Sequence, residues 1–323
     1  MLRGPQAELL YQVAQRHYVE GATMDAIAAE LGVSRPTVSR LLAKARNTGL
    51  VRITIAEPPG SQSPTAVAIA ERFGIQVHIV NVVDSVSPTT RINMVAKLAA
   101  KILTSLVKDE SSLGVAWGVT AARVARQLDP VKVHGVRVVQ MNGSAHAYEA
   151  ALPYAGSLLQ MYAQAYGNAT IVPFPVPAFF DHAGTKEAMW RERSVLRVLN
   201  EIRRLDVAVF GVGYPNARVP SHVYANGYID PGDLSNAIAD GAVGDICTVL
   251  IRADGSFRGI ALNDRASGPT PEEMQSIGRR LCVVGDPSRS AVLLAALRAR
   301  AVTDLVCDNV TARTLHRMIE STE

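Results

Sequence analysis

The sequence predicts an α/β protein in two parts. A small N-terminal helix-turn-helix domain is followed by a larger domain built on a parallel sheet. Three observations carry this. Residues 23–46 form a capped pair of short helices with an inner apolar stripe. Residues 56–64 are rich in Pro, Ser and Gly and suit a linker. Beyond Thr65, apolar strand-like runs alternate with helical ones, the pattern of a parallel sheet covered on both faces. The expected domains are 1–55 and 65–323, joined by 56–64.

The first predicted helix, 7–19, is amphipathic through Leu9, Leu10, Val13, Ala14 and His17. Thr23 can cap the next, whose inner face would be Ala26, Ile27, Ala28 and Leu31. Gly32 supplies the backbone for a sharp turn and Val33 fills its corner. Ser34 caps the following helix, with Pro36 in its first turn, where a missing N–H costs nothing. Val38, Leu41, Leu42 and Ala45 face inward at i, i+3, i+4 and i+7. That leaves Arg35, Thr37, Ser39, Arg40 and Lys44 outward. Donors gathered near the start of a second helix suit reading of the DNA major groove. With Ser34, these five are the candidate DNA contacts. Asn47, Thr48 and Gly49 end the helix, and 50–55 alternates as a short wing strand.

Charge supports this placement. The net charge is only +4 over 323 residues. Within 1–55, seven Lys and Arg stand against four acids, so most of the excess sits where phosphates would be met. No apolar run reaches membrane-span length and the N-terminus has no apolar signal core, so a cytoplasmic protein without a membrane partner is expected. Cys247, Cys282 and Cys307 are read as buried small hydrophobes. His134, His146, His182 and His222 lack metal-ligand spacing and are read as structural or solvated.

In the larger part, strands are expected at 77–83, 113–117, 136–141, 170–172, 207–212, 246–251, 280–284 and 305–307. Helices are expected at 91–107, 121–128, 149–166, 195–205, 287–299 and 309–320. The helix 91–107 has a broad apolar face for the core. Ligands of such sheets bind beyond the carboxyl ends of the strands. Several of those ends are glycine-bearing: Gly118-Val119-Thr120, Asn142-Gly143-Ser144, Gly211-Val212-Gly213 and Gly285-Asp286-Pro287-Ser288-Arg289, with Gly241 to Asp245 leading into another strand. Glycine lets backbone N–H groups approach an anion; Thr120 adds a hydroxyl and Arg289 a guanidinium. No G-x-G-x-x-G fingerprint is present, so neither a dinucleotide nor any other cofactor is expected. The loop 173–180, Pro-Phe-Pro-Val-Pro-Ala-Phe-Phe, reads as a lid, a subunit contact, or a surface loop packed by its own aromatics. Trp117 and Trp190 suit packing or ligand stacking.

Taken in order, these motifs resemble the SorC family (DeoR/SorC group) of bacterial transcription regulators. The resemblance rests on Leu-Gly-Val-Ser-Arg-Pro-Thr-Val-Ser-Arg, Trp117-Gly118-Val119-Thr120, Gly211-Val212-Gly213, Gly241 to Ile246, Asp254-Gly255, Val284-Gly285 and Leu305 to Asp308. It implies a Rossmann-like effector domain, similar to ribose-5-phosphate isomerase and glucosamine-6-phosphate deaminase. It also implies operator DNA, a sugar phosphate, sugar or polyol effector, and a homo-oligomer, dimer or tetramer. On this chain Gly118, Thr120, Asn142 and Gly143 match positions that bind phosphate or sugar oxygens, and Asp245 one that holds sugar hydroxyls. With Gly211, Gly213 and Arg289 they form the expected effector site. The family's usual Gly-Gly-x-x-Lys is replaced here by Gly285 to Arg289, where Asp286 adds negative charge. The alternative is a phosphosugar isomerase or deaminase with an accessory DNA-binding module, for which Asp245, Asp286 and Asp308 are the available carboxylates.

Overall fold

The computed structural model describes residues 5–48, 50–51, 63–83, 85–144, 155–219, 221–225 and 227–321. The chain divides into two compact units, Met1–Ser61 and Gln62–Glu323.

In the first unit, α1 (Pro5–Tyr18), α2 (Met24–Leu31) and α3 (Arg35–Asn47) enclose a small core. Val13, Ile27, Ala28, Val38 and Leu42 form it, and Leu10, Ala14 and Ala45 extend it. Thr23 Oγ1 accepts the Ala26 N–H at 3.2 Å, so the predicted cap is present. Gly32 takes φ 63°, the left-handed turn that glycine enters without strain. Three expectations are corrected. Ala26, Leu31 and Val33 are exposed rather than inward, because the turn is closed by backbone, Val33 N–H on Ala28 O, and not by their side chains. Ser34 has the backbone of a cap residue, but its hydroxyl pairs with Thr37 Oγ1 at 2.9 Å instead of a backbone N–H. Leu50 and Val51 form no strand, and residues 52–55 of the proposed wing lie outside the described residues, as do 56–62 of the linker.

The second unit runs α4 (Pro64–Phe73), β1 (Gln76–Val80), α5 (Pro88–Leu106), β2 (Ser112–Val115), α6 (Val119–Ala125), β3 (Arg137–Gln140), α7 (Ala155–Ala165) and β4 (Thr170–Val172). It continues through α8 (Ala183–Met189), α9 (Arg193–Arg203), β5 (Val207–Phe210), β6 (Val212–Gly213), α10 (His222–Ala225) and α11 (Pro231–Ala239). Last come β7 (Ala242–Ile246), β8 (Val249–Arg252), α12 (Pro271–Met274), β9 (Arg279–Val284), α13 (Ser290–Arg298), β10 (Asp304–Asp308) and α14 (Asn309–Glu320).

Seven strands form one parallel sheet in the order β1-β10-β9-β5-β2-β3-β4. Strand alternation divides the core in two. Ala208, Phe210, Cys282, Leu305 and Cys307 face one layer with Ile69 of α4, Val195 of α9, Leu293 of α13 and Leu315 of α14. Val207, Val209, Leu281, Val283 and Val306 face the other with Val95 and Leu103 of α5, Val124 of α6 and Leu159 of α7. Both faces of the sheet are therefore buried, as continuous apolar strands require.

The strand expected at 246–251 does not exist. Residues on either side of its middle belong to two antiparallel strands, β7 and β8, which with β6 make a second, three-stranded sheet. Gly241 to Asp245, read as a loop, is mostly β7. The turn passes through Cys247 (φ 50°) and Thr248 (φ 76°), both in left-handed conformation. Such hairpin turns normally carry Asn or Gly, so their sequence signal is missing here. The loop 173–180 is also corrected. Phe174, Val176, Ala178 and Phe180 are buried, and Phe174 and Phe180 pack against the Trp190 ring, so the segment is core and not a lid. The helix expected from 287 begins as one turn of 3-10 helix, Pro287–Arg289, and becomes α13 at Ser290. Residues 149–154, expected at the start of α7, are outside the described set.

Candidate ligand cleft and nucleic-acid face

The order of the strands creates the site. From β2 the chain proceeds to β3 and β4 on one side, then returns to β5 on the other side of β2. The segments leaving β2 and β5 therefore part company and open a crevice beyond their carboxyl ends. A cleft lies there. It is lined by Ala116 to Ala121 after β2, Asn142 after β3, Gly211 to Gly213 after β5, Ser221 to Val223, Asp245, Cys247, Thr248 and Arg289.

Each group is placed by local structure. Gly118 stands at the start of α6 with φ 150°, a conformation that disfavours any side chain. Thr120 reaches toward β5; a Cβ on Gly211 would sit 3.2 Å from its Oγ1. Asn142 is buried and its Oδ1 has no hydrogen-bond partner. Gly143 is not in the lining. Its N–H donates to Ser267 Oγ at 2.9 Å and its carbonyl accepts from the Trp117 indole at 2.7 Å. A Cβ there would collide with the Val176 and Pro177 carbonyls. Gly143 thus orients Trp117, which lines the cleft and packs on Tyr228.

Asp245 projects from β7 and is almost wholly buried. Its Oδ2 accepts the Thr248 N–H at 2.9 Å, while Oδ1 makes no close hydrogen bond and the Tyr224 phenol lies beside the carboxyl as its other donor. Gly213 makes room for it: a Cβ at Gly213 would lie 1.8 Å from Oδ1. Burial pushes the Asp245 carboxyl above the usual aspartate range, against the pull of the Tyr224 phenol, the Thr248 N–H and the Arg289 guanidinium. Burial raises the Tyr224 phenol too, with the neighbouring carboxylate adding to it.

Arg289 is buried, and two of its five N–H donors are bonded to backbone. Nη1 donates to Val212 O and Nη2 to Val219 O at 2.7 Å. Nε lies 3.8 Å from Asp286 Oδ2 and makes no hydrogen bond. Burial lowers the Arg289 pKa, countered by Asp286 and then Asp245. Asp286 is itself held by Ser288, whose N–H and hydroxyl donate to its Oδ1 at 3.0 and 2.8 Å. Asp308, the third carboxylate considered, is structural. It accepts from Arg91 Nη1 at 2.7 Å and from the Val310 and Thr311 N–H groups.

The structure thus brings Gly118, Thr120, Asn142, Gly211, Gly213, Asp245 and Arg289 to one cleft and leaves Gly143 behind it. Sequence reasoning missed Ser221, His222 and Thr248 in the lining, and Tyr224 beside Asp245. The first pair sits in a short stretch without a motif, and Thr248 is hidden in the unsignalled turn. The cysteines are all buried and free, and burial pushes the Cys282 thiol up to about 12, so it stays protonated.

On the first unit, Ser34, Arg35, Ser39, Arg40 and Lys44 are exposed along α3 and Thr37 is half-buried. Arg35 lies 3.7 Å from Asp25 of α2, both well exposed. Arg40 Nε makes a long contact to Pro36 O, 3.4 Å. Such exposed pairings are weak and easily exchanged for a phosphate or base.

Comparison with known proteins accords with both halves. The family model described as "Putative sugar-binding domain" matches residues 59–317, and a MarR family model matches residues 2–63. The chain belongs to the SorC family (DeoR/SorC group) of sugar-binding transcriptional regulators. It is 28% identical over 313 residues to the deoxyribonucleoside regulator of Bacillus subtilis (strain 168), covering 95% of this chain and 97% of that one. A domain described as a possible sugar-binding transcriptional regulator from Arthrobacter aurescens TC1 shares 42% identity with a TM-score of 0.74, covering 81% of this chain and all of that one. Full-length sorbitol operon regulator SorC from Klebsiella pneumoniae aligns with a TM-score of 0.73 at 20% identity, over 97% of this chain and all of that one. The SorC-family chain is a DNA-binding transcriptional regulator rather than a phosphosugar-converting enzyme. Among the described residues, no helix is long and apolar enough to cross a membrane.

Proposed function

We propose that this regulator's affinity for its operator is set by a sugar, polyol or sugar phosphate held in the cleft beyond β2 and β5. One observation carries the reading. Asn142 Oδ1 is a buried acceptor without a partner, and it lines the same cleft as the buried Asp245 carboxyl, whose neighbours are the Thr248 N–H and the Tyr224 phenol. Leaving buried polar atoms unpaired costs stability, so such atoms mark a place where a ligand completes the bonding. Hydroxyl groups of a sugar or polyol supply the missing donors. Thr120, Ser221 and the backbone around Gly118 and Gly211 surround the same space. Trp117, steadied by Gly143, gives the ligand an apolar wall.

The DNA side of the proposal assigns Ser34, Arg35, Thr37, Ser39, Arg40 and Lys44 of α3 to the operator. The first two turns of a recognition helix meet base edges, and the later Lys44 meets phosphate. One such helix is too small a reader for an operator, so a homodimer or homotetramer is expected. The test is operator binding by fluorescence anisotropy, with and without sugars, polyols and their phosphates, in wild type and Thr120→Val. A ligand that shifts wild type and not Thr120→Val supports the reading. An effector that acts equally on both places the site elsewhere.

A further inference from the structure

We infer that the cleft selects an uncharged polyol or sugar over its phosphate, and that Asp286 is the residue that sets this preference. The inference rests on the reading of the cleft as the effector site and narrows the class of ligand it takes.

The charges are arranged against an anion. Of the described lining residues, Arg289 is the fixed cation. It is buried and feels two buried carboxylates, Asp286, which is not itself in the lining, at 3.8 Å from Nε, and Asp245 of the lining. Two carboxylates against one guanidinium leave no positive charge in excess. With Asp245 protonated, the set is merely neutral. Two of the guanidinium's five N–H groups, one on Nη1 and one on Nη2, serve the Val212 and Val219 carbonyls and fix the group in place.

The free polar atoms agree with the charges. Asn142 Oδ1 is a buried acceptor in want of a donor, and Asp245 adds a buried carboxyl with the Tyr224 phenol beside it. A hydroxyl can donate to them and accept from Thr120 or a backbone N–H. A phosphate dianion offers acceptors only and would face the Asp245 carboxylate. Like charges brought together in a desolvated site are strongly rejected.

Asp286 is the removable element. Its Oδ1 accepts from Ser288, and its Oδ2 contributes only charge toward Arg289. Asp286→Asn keeps an oxygen for the Ser288 N–H and removes the charge.

The experiment compares matched pairs on the full-length protein by calorimetric titration: ribitol with ribitol 5-phosphate, D-sorbitol with D-sorbitol 6-phosphate, and D-ribose with D-ribose 5-phosphate. Wild type is expected to bind the neutral member of a pair at least roughly tenfold more tightly than its phosphate. Asp286→Asn is expected to narrow or reverse that ratio. A phosphate that binds wild type more tightly than its neutral partner overturns the inference and leaves the cleft as effector site. An unchanged ratio in Asp286→Asn removes Asp286 as the selector. Silence of all three pairs on wild type overturns the reading of the cleft itself, and the inference with it. The wild-type comparison stands even if Asp286→Asn fails to fold.

Discussion

Asp245 carries a cost in stability that its proposed role in the effector site would explain. Its carboxyl is buried and held above the usual aspartate range, chiefly by desolvation. A carboxyl so raised binds more protons folded than unfolded between the two pKa values. Stability therefore falls as pH rises through that window, and the loss persists above it. Asp245→Asn keeps an oxygen for the Thr248 N–H and removes the buried charge. The variant is expected to be more stable than wild type at pH 7, with the gain vanishing as pH falls below the ordinary aspartate range. Thermal unfolding across pH measures this; a constant difference at every pH would contradict it. The same variant should lose effector response and keep operator binding. On α3, Arg40→Ala should cost about 1–3 kcal/mol of operator affinity if Arg40 reads a guanine edge. Arg40 is exposed and makes only a long backbone contact, so the fold should not change. Anisotropy titration with unaltered circular dichroism would show this. At this scale the sequence was informative about residue type and silent about purpose. Gly213 was legible as a strand-end glycine. Its reason, room for a carboxylate arriving from β7, depends on a hairpin that local sequence does not announce.

At the scale of elements, legibility followed periodicity. The strands of the parallel sheet are continuous apolar runs, and most were readable within two or three residues. Helices α5, α9 and α14 carry strong apolar stripes and were readable too. Helices α8, α10, α11 and α12 are short and bury few residues, so no stripe marks them. The β6-β7-β8 sheet was lost because Cys247 and Thr248 occupy a turn that usually belongs to Asn or Gly. That sheet depends on Arg289, whose guanidinium bonds the carbonyls of Val212 in β6 and Val219 beyond it. The sequence reads Arg289 as a cation that grips a ligand; the structure keeps it in the cleft lining and shows that two of its N–H groups also fasten backbone. Arg289→Ala would leave two carbonyls and the buried Asp286 unpaired. It should lower stability by about 3–5 kcal/mol, read as a fall in denaturation midpoint. A fully stable Arg289→Ala protein that has lost only its ligand response would restore the ligand-gripping role.

For the whole molecule, the two units have separate cores, and their functions must be joined through free energy. The first unit buries a small cluster from three helices, enough to hold α3 rigid and outward. The second places its cleft at the point where the sheet reverses order, on segments that leave β2 and β5 in opposite directions. A ligand can change operator affinity only if it binds two states of the assembly unequally. The states available to a paired reader of DNA are different spacings of its recognition helices, so coupling is expected to pass through the arrangement of subunits. Light scattering at micromolar concentration should therefore report at least a dimer. Ligand binding should shift operator affinity by about 1–3 kcal/mol, and operator DNA should shift ligand affinity by the same factor. That reciprocity can be measured by titrating ligand with and without saturating operator. A monomer that binds a single half-site tightly, with equal ligand affinity on and off DNA, would refute coupling through assembly.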